Sequence, residues 1–309
     1  MENRLVKKRS LLTDIWRWRE IYLLILPGIA WYIIFSYVPI YGLSLAFKTY
    51  KANLGIFRSP WIGFDNYKYV FRDPAFLEAI VRTVTINFGR ILFQFPFPII
   101  LALMLNEVRV NKFKKVLQTI YTFPHFLSWV VVATVMINLL SSRGIVNGVI
   151  RILGGENVNF IGDPELFKPL LYITENWKSG GWTMIIYLAA ISGIDTEQYE
   201  SARIDGATRL QTIWYITLPA LKSTIVVLLI LQIGNIMTQG FDQIFNLSNP
   251  ATAKAGEILD IYIYRITFQS AADFSFSTAV SLFRSVINFI FLVTADRITK
   301  MLGSEGLFA

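Results

Sequence analysis

Residues 23–47 contain no Asp, Glu, Lys or Arg and are predominantly apolar. A helix needs roughly 20 such residues to cross the hydrocarbon core of a bilayer. This segment therefore puts the chain in a membrane before anything else about it is known. It is too long for the apolar core of a secretory leader, and no small-residue cleavage site follows it, so it is expected to be a retained first span. Five further segments read as spans: 80–106, 116–140, 169–193, 223–245 and 277–298. Composition agrees, because charged residues make up only 16% of the chain, against about 25% in an average soluble domain. Such a surface has too little charge to face water. The expectation is an all-α polytopic membrane protein with about six transmembrane helices. Residues 1–22 would form a cytoplasmic N-terminal segment, 23–298 the membrane domain and 299–309 a cytoplasmic tail.

Orientation follows from the placement of Lys and Arg, which concentrate on the cytoplasmic side of membrane proteins. Arg4, Lys7, Lys8, Arg9, Arg17 and Arg19 precede the first span. Arg109, Lys112, Lys114 and Lys115 lie between the second and third, and Arg203, Arg209 and Lys222 between the fourth and fifth. With six spans these regions share one side, which places both termini in the cytoplasm. The formal charge of +8 is explained by these flanks, without invoking nucleic acid. The external loops 48–79, 141–168 and 246–276 suffice for a short helix and a docking surface, not for another domain. Trp61, Phe64, Tyr67 and Tyr69 in the first suit either anchoring at the membrane interface or contact with a partner, with anchoring the expected role.

The same residues exclude whole classes of chemistry. There is no cysteine and one histidine, His125, so disulfides, thiolate metal sites and a multi-histidine metal site are ruled out within this chain. No G-x-x-x-x-G-K-[ST] phosphate loop occurs. No paired carboxylates or Ser-His-Asp set stand at membrane depth, so an embedded enzyme has little to work with.

Polar side chains inside spans are costly and tend to face the bundle interior or a wet cavity. Tyr121 and His125 are four apart in the third segment, next to Pro124. The fourth holds Asn176, Lys178 and Gly180, with Trp177 and Trp182 close by. In the fifth, Gln232, Asn235 and Gln239 are spaced as one helical stripe. Arg284 and Asn288 are four apart in the sixth. Amides, hydroxyls and aromatic faces suit a sugar, although the same groups also glue helices together. Arg90, Lys178 and Arg284 suggest a cationic wall selecting acidic, uronate-containing sugars. The alternative for them is an ion pair, with Glu175 or with an acid on another subunit. His125 invites a proton-coupled reading, but no membrane-depth chain of Asp and Glu accompanies it.

Residues 195–222 are too polar to span and too patterned for a linker. Thr196 or Asp195 can cap a short helix reaching Ile204, and Gly206 can end it in the left-handed conformation. Residues 207–215 can form a second short helix, and Leu218-Pro219 then begins the next span. Glu200-Ser201-Ala202, three residues, Gly206, nine residues, then Ile216-Thr217-Leu218-Pro219 resembles the Glu-Ala-Ala motif of ABC importer permeases. Every spacing agrees, with Ser201 replacing the first alanine. Tyr199 to Ala207, and Phe123-Pro124-His125-Phe126-Leu127-Ser128-Trp129, are similar to the carbohydrate branch, the maltose-type and LplB-like polysaccharide permeases.

That resemblance implies the type I ABC importer permease fold. It implies a coupling loop in which Glu200, Ser201, Ala202, Asp205, Gly206 and Ala207 meet an ATPase subunit. It also implies contact positions for substrate at Tyr121, His125, Asn176 and Gly180, and at Thr183 with a looser register. Lys178, Gln232, Asn235, Gln239, Arg284 and Asn288 complete the expected substrate set. The implied partners are a homologous second permease in a heterodimer, two ATPase subunits carrying ATP and Mg, a periplasmic or extracellular solute-binding protein, and an oligosaccharide. No cofactor is expected in this chain, and the implied location is the bacterial inner membrane. The competing readings are an ATP-independent secondary transporter and an ABC permease for a non-sugar solute.

Overall fold

The computed structural model describes residues 16–269, 273–301, 303, 306 and 307. Arg4, Lys7, Lys8 and Arg9, used above for orientation, lie outside the described residues. The described chain is helical apart from its connections and one isolated bridge between Lys48 and Trp61. Helix α1 runs Arg19–Phe47, α2 Asp65–Val70, α3 Pro74–Asn106, α4 Asn111–Thr122, α5 Trp129–Leu140 and α6 Ile145–Ile152. Then come α7 Pro164–Ser192, α8 Thr196–Ile204, α9 Arg209–Gly234, α10 Phe241–Leu247, α11 Leu259–Tyr264 and α12 Phe274–Met301.

Five of these stretches are long and apolar enough to cross a membrane: α1, α3, α5 with α6, α9 and α12. The fourth expected span, α7, is as long but less apolar, because it is the interior helix. Its buried set includes Leu171, Thr174, Lys178, Gly180, Gly181, Met184 and Tyr187, and it packs on α3, α4, α9 and α10. A helix surrounded by protein does not have to satisfy lipid all round, so it tolerates Glu175 and Lys178. At the other extreme, no residue of Arg19–Tyr32 is buried. Only the last turns of α1 enter the core, through Leu45 and Ala46. Asn66 of α2 holds that end by donating to the Ala46 and Lys48 carbonyls at 2.9 and 3.0 Å.

Two expected spans are interrupted, for local reasons. The segment expected as one helix over 116–140 breaks between α4 and α5. A tight turn, Phe123–Phe126, contains Pro124, which has no N–H for a helical bond. Ser128, in extended conformation, then caps α5 by accepting from Val131 N–H at 3.4 Å. The segment expected over 223–245 stops at Gly234. Residues 235–240 are non-helical, and Gly240 at φ +99° starts α10. The freed backbone is recaptured by side chains. Asn87 Nδ2 donates to the Ile236 carbonyl at 2.6 Å, and Asn288 Oδ1 accepts from Met237 N–H at 3.0 Å.

Another expectation changes in form. The separate short helix expected over 207–215 begins at Arg209 and runs on into the span. Pro219 does not end it; the turn before it widens, with Leu218 N–H reaching back five residues to the Ile213 carbonyl. A wider turn relieves the clash between the proline ring and the preceding carbonyl. Helix α1 does the same before Pro39, where Val38 N–H bonds the Ile33 carbonyl.

Three apolar clusters hold the bundle. At one end Phe76, Met237, Leu259, Tyr262 and Val280 join α3, the 235–240 segment, α11 and α12. Tyr262 donates its hydroxyl to Asp73 Oδ2 at 2.6 Å. Burial first, and that hydrogen bond next, raise its pKa above the ordinary tyrosine value. A middle cluster contains Ile86, Ala133, Phe167, Leu171 and Ile244. At the end carrying α8, Ala102, Leu105, Met184, Tyr187 and Leu221 join α3, α7 and α9.

Candidate functional site

The breaks in the third and fifth spans open a polar cavity of about 470 Å3 beside α7. Helix α3 lines it with Arg90, Gln94, Phe95 and Pro98, and α5 with Trp129. Helix α7 contributes Glu175, Asn176, Ser179, Gly180 and Thr183. The end of α9 and the segment after it contribute Leu228, Gln232, Thr238, Gln239 and Gly240, and α10 adds Phe241, Asp242 and Gln243. The α7 residues lie three and four apart, on one face. Glu175 Oε1 accepts from the Ser179 hydroxyl at 2.7 Å, and Asn176 Nδ2 donates to the Phe93 carbonyl at 3.3 Å. Amide, hydroxyl and carboxylate groups around aromatic faces can bind many hydroxyls at once.

Of the residues singled out from the sequence, the structure brings Arg90, Asn176, Gly180, Gln232 and Gln239 together on this cavity, with Thr183. Gln232 and Gln239 arrive there from a helix end and a loop, not from one stripe. Asn235 turns away, donating to the Leu231 carbonyl at 2.9 Å. Tyr121 is 41% exposed on α4. His125 is in the turn after α4 rather than one helical turn above Tyr121, and its ring stacks on Trp182 at 4.6 Å. Lys178 is buried and is not part of the cavity lining; it donates to the His125 carbonyl at 3.0 Å, with its ammonium 5.6 Å from the Trp129 ring centroid. Arg284 is ion-paired with Asp260, and Asn288 serves the Met237 N–H. Gln94, Trp129, Glu175, Ser179, Asp242 and Gln243 were not on the expected list. Gln94 lies four residues after Arg90, and Glu175 and Ser179 flank Asn176, so helical spacing from known members was the available signal.

Two adjacent glycines let α7 approach its neighbours. A Cβ at Gly180 would stand 2.7 Å from the Phe97 ring, and one at Gly181 would stand 2.0 Å from the Tyr121 carbonyl oxygen.

The second candidate surface is the polar hairpin. Asp195, rather than Thr196, caps α8 by accepting from Glu197 N–H at 3.0 Å. Gly206 sits at φ +77°, a conformation L side chains adopt at a cost. The helix closes with Ala207 N–H on the Ala202 carbonyl at 2.9 Å. Thr208 and Gln211 form a reciprocal cap at the start of α9. Glu200, Ser201, Asp205 and Gly206 are exposed, while Ala202 and Ala207 are half-buried. Ile204 is 86% exposed between them, an apolar side chain on an otherwise polar helix. The Tyr199 hydroxyl meets the Thr217 hydroxyl at 3.1 Å, and Arg209 pairs with Glu107 at 3.7 Å. These contacts tie the hairpin to the base of α9 and the α3–α4 turn.

Comparison with known proteins gives concordant results. The sequence model described as "binding-protein-dependent transport system inner membrane component" matches residues 94–303. The polygalacturonan/rhamnogalacturonan transport system permease protein YteP of Bacillus subtilis (strain 168) is 41% identical over 303 residues, 98% of this chain and 94% of its own. Protein LplB of the same organism is 41% identical over 289 residues, 93% of this chain and 91% of its own. Among solved structures, a chain in the crystal structure of a bacterial ABC transporter involved in the import of the acidic polysaccharide alginate superposes with a TM-score of 0.87. It is 39% identical, with 95% of this chain and 99% of that chain covered.

Proposed function

We propose, from the premise that this chain belongs to the family of binding-protein-dependent transport system inner membrane components, that it is the permease subunit of an ATP-driven importer carrying an oligosaccharide. The observation that carries the reading is the course of α9. It begins in the exposed hairpin at Arg209 and ends at the polar cavity, where Gln232 lines the wall. At 1.5 Å per residue those two positions are about 35 Å apart along one helix. A push on α8 passes through the short 205–208 turn and is then carried to the cavity along one continuous helix.

The parts fall into place around that helix. Two ATPase subunits, holding ATP and Mg, engage α8 through Glu200, Ser201, Asp205 and Gly206 on the cytoplasmic face of a bacterial inner membrane. Both termini lie on that face. A second, homologous permease completes the pathway, and a solute-binding protein delivers the oligosaccharide from outside. Closure of the ATPases moves α8, and α9 exposes the cavity alternately to the two sides. This chain itself hydrolyses nothing. The names of the relatives, with their polysaccharide substrates, support a sugar over an amino acid or a metal.

The test is reconstitution of the two permeases with their ATPases and binding protein in lipid nanodiscs and vesicles. Oligosaccharide-loaded binding protein is expected to stimulate ATP hydrolysis and uptake, and amino acids are expected to do neither. Uptake in vesicles lacking the ATPase would overturn the reading in favour of a secondary transporter.

A further inference from the structure

We propose that Arg90 is the carboxylate-binding residue of this pathway, which makes the cargo an acidic, uronate-containing oligosaccharide. This rests on reading the cavity as the sugar path. Arg284 and Lys178 have protein partners away from the cavity lining. Arg284 pairs with Asp260, and Lys178 is spent on the His125 carbonyl. Arg90 is different. It is 3% exposed and lines the cavity, yet among the described residues no carboxylate lies within ion-pairing distance. Its Nε has no hydrogen-bond acceptor there, as is also true of Arg284, but Arg284 does not line the cavity.

A buried charge with no carboxylate in contact is costly, by several kcal/mol in general, and Glu175 on the same cavity acts on this one only from beyond ion-pairing distance. The chain nonetheless holds this one firmly in place. A terminal nitrogen donates to Gln243 Oε1. The Gln243 amide nitrogen is in turn fixed by the Leu171 carbonyl at 2.7 Å and the Thr174 hydroxyl at 2.8 Å, so its oxygen is turned to the arginine. Gly240 leaves the room the guanidinium needs: a Cβ there would lie 2.6 and 2.7 Å from its two terminal nitrogens. A planar fork locked at a cavity wall, with no carboxylate in contact, matches a carboxylate in geometry as well as charge.

Glu175 and Asp242 line the same cavity. They do not neutralise Arg90 by direct contact, and they are the strongest available acceptors for sugar hydroxyls. A uronate ring carries both kinds of group. Its carboxylate meets Arg90 while its hydroxyls donate to Glu175 and Asp242. A neutral sugar satisfies only the second set and leaves the buried charge as it was.

The test uses the complete transporter in nanodiscs, without binding protein, so that selection by that protein does not mask the permease. Equilibrium binding of trigalacturonate is compared with that of its carboxyl-reduced, neutral counterpart. The wild type is expected to bind the acid about 10- to 100-fold more tightly, the range for hydrogen bonds to a charged group. Arg90→Gln is expected to erase that preference, and Arg90→Lys to keep part of it. Equal weakening of both sugars by Arg90→Gln would reduce Arg90 to a packing clamp and overturn the proposal. The wild-type comparison stands even if Arg90→Gln fails to assemble: equal affinity for the two sugars refutes the carboxylate role and leaves the sugar path intact. Binding of neither sugar removes the sugar path itself.

Discussion

Replacing Gly181 with alanine adds one methyl group where α7 touches the end of α4. The new Cβ would lie 2.0 Å from the Tyr121 carbonyl oxygen, 2.3 Å from its carbon and 2.9 Å from the Thr122 nitrogen. An ordinary C···O contact is no shorter than about 3.3 Å, so the two backbones must part by roughly 1 Å. Neither can move alone, because both belong to helices. Overpacking of this kind costs about 1–3 kcal/mol. The separation also pulls at the Lys178 bond to the His125 carbonyl, now 3.0 Å. Loss of that bond would leave a buried ammonium short of an acceptor, at about 1–3 kcal/mol more. A combined penalty of about 3 kcal/mol corresponds to a fall in melting midpoint of roughly 6–12 °C. Gly148→Ala is the control: no atom lies within 4 Å of its Cβ position in α6, and alanine is the better helix former by about 0.5–1 kcal/mol. The measurement is thermal unfolding of the detergent-purified transporter, followed by size-exclusion of the surviving complex. Midpoints of the two variants within about 1 °C of each other would refute the claim that α7 and α4 are in backbone contact.

Two further outcomes follow from the site geometry. Gly206 has open space around its Cβ position, so substitution acts through its positive φ, at about 1–2 kcal/mol for an L side chain. Gly206→Val should lower sugar-stimulated ATP hydrolysis severalfold, whereas Gly206→Asn, which tolerates that conformation, should retain most of it; equal loss in both would remove φ as the cause. Alanine at Asn176, Gln232 and Gln239 together should lower uptake at least tenfold, at about 0.5–1.5 kcal/mol per hydrogen bond removed, while the complex elutes intact. Unchanged uptake would place the sugar path elsewhere.

The spans and the hairpin were legible in the sequence because their signals are local. A charge-free run, an aspartate before an acidic turn and a glycine after Ile204 each act within a few residues. The breaks at 123–128 and 235–240 were hidden, because averaging over a span conceals a six-residue interruption. That is why Gln232, Asn235 and Gln239 look like one stripe and are not. The roles of Arg284, Lys178 and Asn288 depend on partners far along the chain: Asp260, the His125 carbonyl and the Met237 N–H. Spacing carries no trace of such pairings. Arg90 looked like its two fellow cations until the structure placed it on the cavity wall and the other two away from it.

The first half of α1 has a consequence for the life of the subunit before it is assembled. Tethered to the bundle only near Leu45 and Ala46, Arg19–Tyr32 draws no folding energy from its own chain. Its large apolar side chains, among them Leu24, Trp31 and Phe35, are left for lipid or another subunit to cover. An orphan copy therefore differs from an assembled one in a way that is visible from outside: it displays an arm that no described residue of its own chain buries.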